Sequence, residues 1–196
     1  MENVNKVVDC RTKALINSNH TFKDIFDIMF KKGDYILGEY NDGYNIYTVS
    51  YEEAKNKIFN LAYSINQKYP NLKDEYIGIA NESTIEWIYI YWAILASGNK
   101  PYLINLRHPK GFVNQLLKSL NISYLIGNVD IYDAILIKLE ELDLKYDLNY
   151  KFEFANEMAL STSATTLKEK IIFYNGLELS NQILNCKQVL KENKQV

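Results

Sequence analysis

Cysteine is scarce in this chain: Cys10 and Cys186 are the only two in 196 residues, and they share no C-x-x-C spacing. That excludes a disulfide scaffold and a structural zinc site, and it fits a reducing compartment. Histidine is equally rare. His20 and His108 have no cysteine or acid at ligand spacing, so no metal site is expected, and His108 before Pro109 reads as a turn or capping residue. An excess of either charge is missing too: 22 Lys and Arg stand against 24 Asp and Glu, for a net charge of −2. Without a basic block, a nucleic-acid partner is not expected. Long apolar runs are absent. The longest, Trp87 to Ala96, is about half of the roughly 20 residues a bilayer span needs, so it predicts a buried helix and no membrane span. The start Met1-Glu2-Asn3-Val4 carries no apolar signal region, and a cytoplasmic location is expected.

What is present is a core. Hydrophobic residues make up 47% of the chain, enough for a single domain over residues 1–196, with residues 1–20 read as polar and irregular. Phe22, Phe26 and Phe30 at spacing four suggest a short helix. Two strand-like runs, 35–40 and 44–49, flank Asn41-Asp42-Gly43 and predict a hairpin at an edge of the sheet. Ser50 with Glu53 reads as a capping box that opens a helix ending at Pro70; Ser83 with Glu86 reads as a second box. Gly98 sits at a natural helix stop, and Pro109 in a first helical turn. Short apolar strands are expected at 76–80, 101–105, 124–126, 154–160 and 171–174, with further helices over 130–142 and from Leu177. Glu140-Glu141 would be the solvated face of one of these helices. The sixteen tyrosines read as core and core-edge packing. The β-α-β-α-β order predicts an α/β fold: a doubly wound, largely parallel sheet with flanking helices and an amino-terminal β-hairpin.

One stretch carries chemistry. Ser161-Thr162-Ser163-Ala164-Thr165-Thr166-Leu167-Lys168-Glu169-Lys170 lies between two apolar segments and supplies hydroxyls and lysines, which together with backbone amides are the usual means of holding a triphosphate. A serine/threonine cluster by itself is more often a solvated turn. The order of its residues, however, resembles the phosphate loop of the AMP-forming acyl and aryl synthetases, the adenylate-forming ligase superfamily, which typically reads Thr-Ser-Gly-Thr-Thr-Gly-x-Pro-Lys. Upstream, Tyr47 to Ala54, Ile77 to Trp87, Ala93 to Tyr102 and Tyr124 to Ile126 are similar to family segments in the same order, over roughly residues 22–190.

The resemblance implies ATP and magnesium as cofactors, activation of a carboxylic acid to an acyl-adenylate, and transfer to the thiol of coenzyme A or a carrier protein. It assigns Thr162, Ser163, Thr165 and Thr166 to the phosphates of ATP, and Lys170 to the loop's closing lysine. It also exposes departures. Ala164 and Leu167 stand where the family has glycine, and Glu169 where it has proline. Glycine reaches φ > 0 freely, whereas another residue there costs on the order of 1–2 kcal/mol. With Glu169 adding a negative charge, weak triphosphate binding is expected. No motif here matches the family's later adenine, ribose and catalytic-lysine segments, so this chain alone is not expected to complete adenylation, and no catalytic residue is assigned.

Two function classes stay open: the amino-terminal part of an AMP-forming ligase, and a standalone non-catalytic module of the same fold that binds a partner, either a second lobe or a further copy. An unrelated flavodoxin-like domain is the blander alternative.

Overall fold

A computed structural model describes residues 4–41, 43–130, 132–161 and 170–192. The chain opens with α1 (Val4–Ile16) and α2 (Phe22–Met29), passes through a hairpin of β1 (Ile36–Asn41) and β2 (Ile46–Ser50), and enters α3 (Tyr51–Lys68). Alternation follows: β3 (Tyr76–Ala80), α4 (Ile85–Ala96), β4 (Lys100–Leu103), α5 (Lys110–Ser119), β5 (Tyr124–Gly127) and β6 (Ile135–Ile137). The chain then forms β7 (Glu157–Ser161), β8 (Ile171–Asn175) and α6 (Gly176–Glu192). The main sheet has six strands in the order β6-β5-β3-β4-β7-β8. All neighbours are parallel except β7 and β8, which run antiparallel. The expected doubly wound α/β architecture is the observed one.

The inner strands β3 and β5 are apolar on both faces because helices cover both. On β3, Ile77 and Ile79 point into the larger core with α3 and α4, while Ala80 joins the smaller core under α5. Helix α4 is apolar all round, and its residues Tyr89 to Ala96 are all buried, as a helix enclosed on every side must be. It ends at Gly98, where φ is +81° and the amides of Gly98 and Asn99 close back on Leu95 and Ile94 carbonyls. Ser50 caps α3 as expected, its hydroxyl accepting from the Glu53 amide while Glu53 Oε2 accepts from the Ser50 amide at 2.8 Å.

Beyond a 3-10 turn at Leu139–Glu141, a strap without regular structure runs over α3 and α4 to β7. Leu144 N–H donates to Ser64 Oγ (2.9 Å), Tyr146 N–H to Asn60 Oδ1 (3.0 Å), and Ala155 N–H to the Leu95 carbonyl (2.9 Å). Phe152 stacks on Phe59 at 4.4 Å.

Several expectations need correction. Residues 4–16 are helical, not irregular: α1 holds on through one buried residue, Leu15, and through Arg11, which donates to the Met29 carbonyl at 3.0 Å. So sparse an apolar stripe left no visible period. The helix expected over 130–142 is, in its described part, strand β6 followed by a 3-10 turn at Leu139–Glu141. Ile135-Leu136-Ile137 is too short to fix a period, and the open edge of β5 pairs it (Leu125↔Leu136). The second capping box does not form. The residue before α4 is Thr84, its hydroxyl takes a hydrogen bond from Asn81 Nδ2 (3.2 Å), and it makes no cap bond. Pro109 precedes α5 rather than entering its first turn. The hairpin forms its own two-stranded sheet against α3, not an edge of the main sheet. Tyr44 on that hairpin is 95% exposed, so not every tyrosine packs in the core.

Candidate functional site

The parallel strands end their carboxyl termini on one side of the sheet, at Ala80, Leu103, Gly127, Ile137 and Ser161. After β3 the chain turns to the larger core through α4; after β4 it turns to the opposite face through α5. Adjacent strands whose exits diverge in this way leave a crevice, the usual ligand position in a doubly wound sheet.

Polar side chains line both walls. Beyond β3, Asn81 is 4% exposed and donates through Nδ2 to the Glu82 carbonyl (3.0 Å) and to Thr84 Oγ1. Asn128, beyond β5, accepts from the Glu82 amide at 3.3 Å. Gly127 is required there: its φ is +150°, and a Cβ would stand 2.2 Å from the Ala80 oxygen. The exit of β5 thereby closes onto β3, and Asn128 and Val129 amides both donate to the Ala80 carbonyl. Beyond β4, Asn105 organises a turn: its Oδ1 accepts from the Arg107 amide at 3.1 Å, and its Nδ2 lies 3.1 Å from His108 Nε2. His108 is thus a turn residue, set edge-on to Phe112. Arg107 is exposed at the same rim.

Strand β7 adjoins this wall. The register Leu103↔Leu160 puts Ser161 next to the start of the β4 exit. The Ser161 hydroxyl is buried and finds no hydrogen-bond partner among the described residues. Ser161 pairs with Ile171 across the β7–β8 ladder, so the two ends of the hydroxyl-rich stretch stand side by side at the rim. Of the residues assigned to phosphate, Lys170 is described: it is exposed and directly precedes β8. Thr162, Ser163, Thr165 and Thr166 lie outside the described residues, as do Ala164, Leu167 and Glu169. The sequence reading did not single out Ser161, Asn105 or Arg107 as site residues. Their position just past a short apolar strand was the available signal.

The opposite end of the sheet carries a different cluster. Tyr76, Lys100 and Glu157 begin β3, β4 and β7. The Tyr76 hydroxyl donates to Glu157 Oε1, Lys100 lies 5.4 Å over the Tyr76 ring, and Lys100 pairs with Asp74 at 2.8 Å. Burial, then the hydrogen bond and charge of Glu157 and the charge of Asp74, push the Tyr76 phenol far above its ordinary range. A cavity of about 550 Å³ lined by Tyr69, Leu72, Tyr76 and Tyr124 opens at this end, and a groove of about 730 Å³ lies between α1 and α2. Neither reaches the carboxyl ends. Among the described residues no three His, Cys, Asp or Glu side chains are grouped to hold a metal, and no helix is long and apolar enough to cross a membrane.

No family model and no curated protein matches the chain. Solved structures do. The N-terminal subdomain of NpsA from Klebsiella oxytoca, in complex with 3-hydroxybenzoyl-AMSN, superposes with a TM-score of 0.66 at 18% identity, over 80% of this chain and 41% of that one. An artificially fused adenylation–PCP di-domain from the same organism gives 0.65 at 18% identity, over 80% and 32%. O-succinylbenzoate coenzyme A synthetase (MenE) from Bacillus subtilis, in complex with AMP, gives 0.59 at 19% identity, over 70% and 38%. The chain therefore spans less than half the length of these structures. The fold of this chain, a mostly parallel sheet with flanking helices and an amino-terminal hairpin, is that of the N-terminal subdomain of these adenylation enzymes.

Proposed function

We propose that residues 1–196 form one domain equivalent to the amino-terminal lobe of an AMP-forming carboxylate ligase. In this reading its rim receives the phosphates of ATP. Thr162, Ser163, Thr165 and Thr166 offer hydroxyls to the phosphates, and Lys170 supplies the point charge. The observation that carries the proposal is the position of the stretch. It joins β7 to β8 at the carboxyl end of the sheet, and it opens on the Ser161 hydroxyl, which is buried without a partner among the described residues. A buried hydroxyl without a partner among the described residues, with the exposed Lys170 at the other end of the stretch, fits an anion. Within a complete ligase, the carboxylic acid and the thiol of coenzyme A or a carrier protein are the partners this reading supplies; MenE is itself a coenzyme A synthetase.

Titration calorimetry of the chain with ATP tests this directly. Weak, phosphate-dependent binding is expected, and Lys170→Ala should abolish it. Replacing Ala164 and Leu167 by glycine restores the residues that the resembling loop carries at these two positions, so the double variant should bind about tenfold tighter. Absence of ATP binding by every variant, the glycine-restored one included, would leave the second reading: a non-catalytic binding module of the same fold. The glycine-free stretch favours that second reading.

A further inference from the structure

The six-stranded sheet ends differently on its two sides. On one side β6 is three residues long. On the other, β8 is five residues, Ile171-Ile172-Phe173-Tyr174-Asn175, with no charge, proline or glycine among them, and among the described residues its one strand neighbour is β7. Edge strands are normally blunted by lysine, proline, bulges or brevity, because their free amides and carbonyls template another strand. From Ile171 to Tyr174 this one carries none of those devices; at its end the Asn175 amide is held by Glu178.

The direction of its free groups follows from one hydrogen bond. The Asn175 amide donates to Glu178 Oε2 at 2.8 Å, so it does not donate to β7. In an antiparallel ladder the bonded and non-bonded pairs alternate. Ile171 and Phe173 share the outward direction of Asn175, while Ile172 and Tyr174 bond to β7. Phe173, at the middle of the strand, therefore presents both its N–H and its C=O to the open edge. Its side chain lies on the thinly covered face, 47% exposed, with its ring 6.0 Å from Tyr76.

We propose that β8 pairs antiparallel with β8 of a second copy of this chain about a two-fold axis through Phe173, making one continuous twelve-stranded sheet. The strand is its own complement in that register. Phe173 meets Phe173 as a hydrogen-bonded pair and Ile172 meets Tyr174, with no like charges opposed; the Asn175 amide keeps its bond to Glu178 and stays out of the new ladder. A closed two-fold contact also consumes both free edges at once, which no head-to-tail pairing does. The pairing involves no nucleotide, so its test is independent of ATP binding.

Sedimentation of the purified chain should show a dimer with a dissociation constant on the order of 10 µM. Phe173→Lys sets like charges directly opposite and should weaken association at least about tenfold with an unchanged circular dichroism spectrum. Mixing Phe173→Lys with Phe173→Glu copies should restore a heterodimer. In a Cys10→Ser, Cys186→Ser background, Phe173→Cys should oxidise to a disulfide-linked dimer, because the paired Cα atoms stand about 5.5 Å apart. A wild-type chain that stays monomeric at about 100 µM, a Phe173→Lys chain that dimerises as the wild type does, or a folded Phe173→Cys chain that fails to cross-link would each overturn the proposal.

Discussion

The two faces of the main sheet are built to different depths. One is covered by α2, α3, α4 and α6 together with the strap, and holds a continuous core from Leu15 to Met158. The other is covered by α5, with a small core around Tyr102, Val113, Leu117 and Leu125. The thick face concentrates aromatic packing: Phe26 lies 4.4 Å from Phe30, 5.2 Å from Trp92, 5.1 Å from Phe154 and 5.5 Å from Phe59, centroid to centroid. The thin face leaves Phe173 half exposed and carries the polar Tyr76–Glu157 contact. Burial scales with stability, so the thick face holds the fold together and the thin face leaves room for contacts made later. Phe26→Ala should therefore cost about 3–5 kcal/mol, and Leu117→Ala under α5 about 2–3 kcal/mol, at the lower end for buried leucine. Urea unfolding of both variants measures the gap, and equal losses would break the contrast.

A finer comparison separates tight from merely thin packing. Gly78 lies on β3 under the small core, and an added methyl group would meet Leu125 Cδ2 at 2.4 Å and Ile104 Cδ1 at 3.0 Å. Both neighbours are side-chain tips that can give way. Gly78→Ala should thus destabilise by about 1–3 kcal/mol, the usual range for overpacking. A neutral result would show that the thin face is loose as well as shallow.

Most of this architecture was legible from local signals. Alternating short apolar runs and helical stripes located β3, α4, β4, α5 and β5, and Gly98 marked the stop of α4 because only a residue tolerant of φ > 0 closes a helix that way. What failed was decided at a distance. β6 is a strand because β5 offers it a ladder, and α1 is a helix because Arg11 and Leu15 find α2. The rim around the crevice was hardly visible in sequence. Asn105 and Arg107 gain meaning only once the β4–β7 ladder sets the exit of β4 alongside the end of β7, residues more than fifty apart in the chain. The hydroxyl-rich stretch was the reverse: obvious by composition, with its flanks Ser161 and Ile171 paired by the fold.

The smallest expected effects distinguish two helix starts on the thick face that look alike in sequence. Ser50 and Ser83 are each followed by glutamate three residues later. Only Ser50 is a cap, exchanging hydrogen bonds with Glu53 in both directions. Ser50→Ala should cost about 1 kcal/mol, whereas Ser83→Ala should change stability by only a few tenths of that amount. Acid sharpens the distinction. The Ser50 backbone hydrogen bond, then its hydroxyl, hold the Glu53 carboxyl below its ordinary value. A carboxylate depressed on folding stabilises the native state above its unfolded pKa, about 4.3, and that contribution fades as pH falls through the folded value. The Ser50→Ala penalty should accordingly be constant from neutral pH down to about 5 and shrink below about 4. For Ser83→Ala the same titration should show no trend. Parallel acid unfolding curves for the wild type and Ser50→Ala down to the lowest pH would mean that the hydroxyl, and not the carboxylate it orients, accounts for the cap.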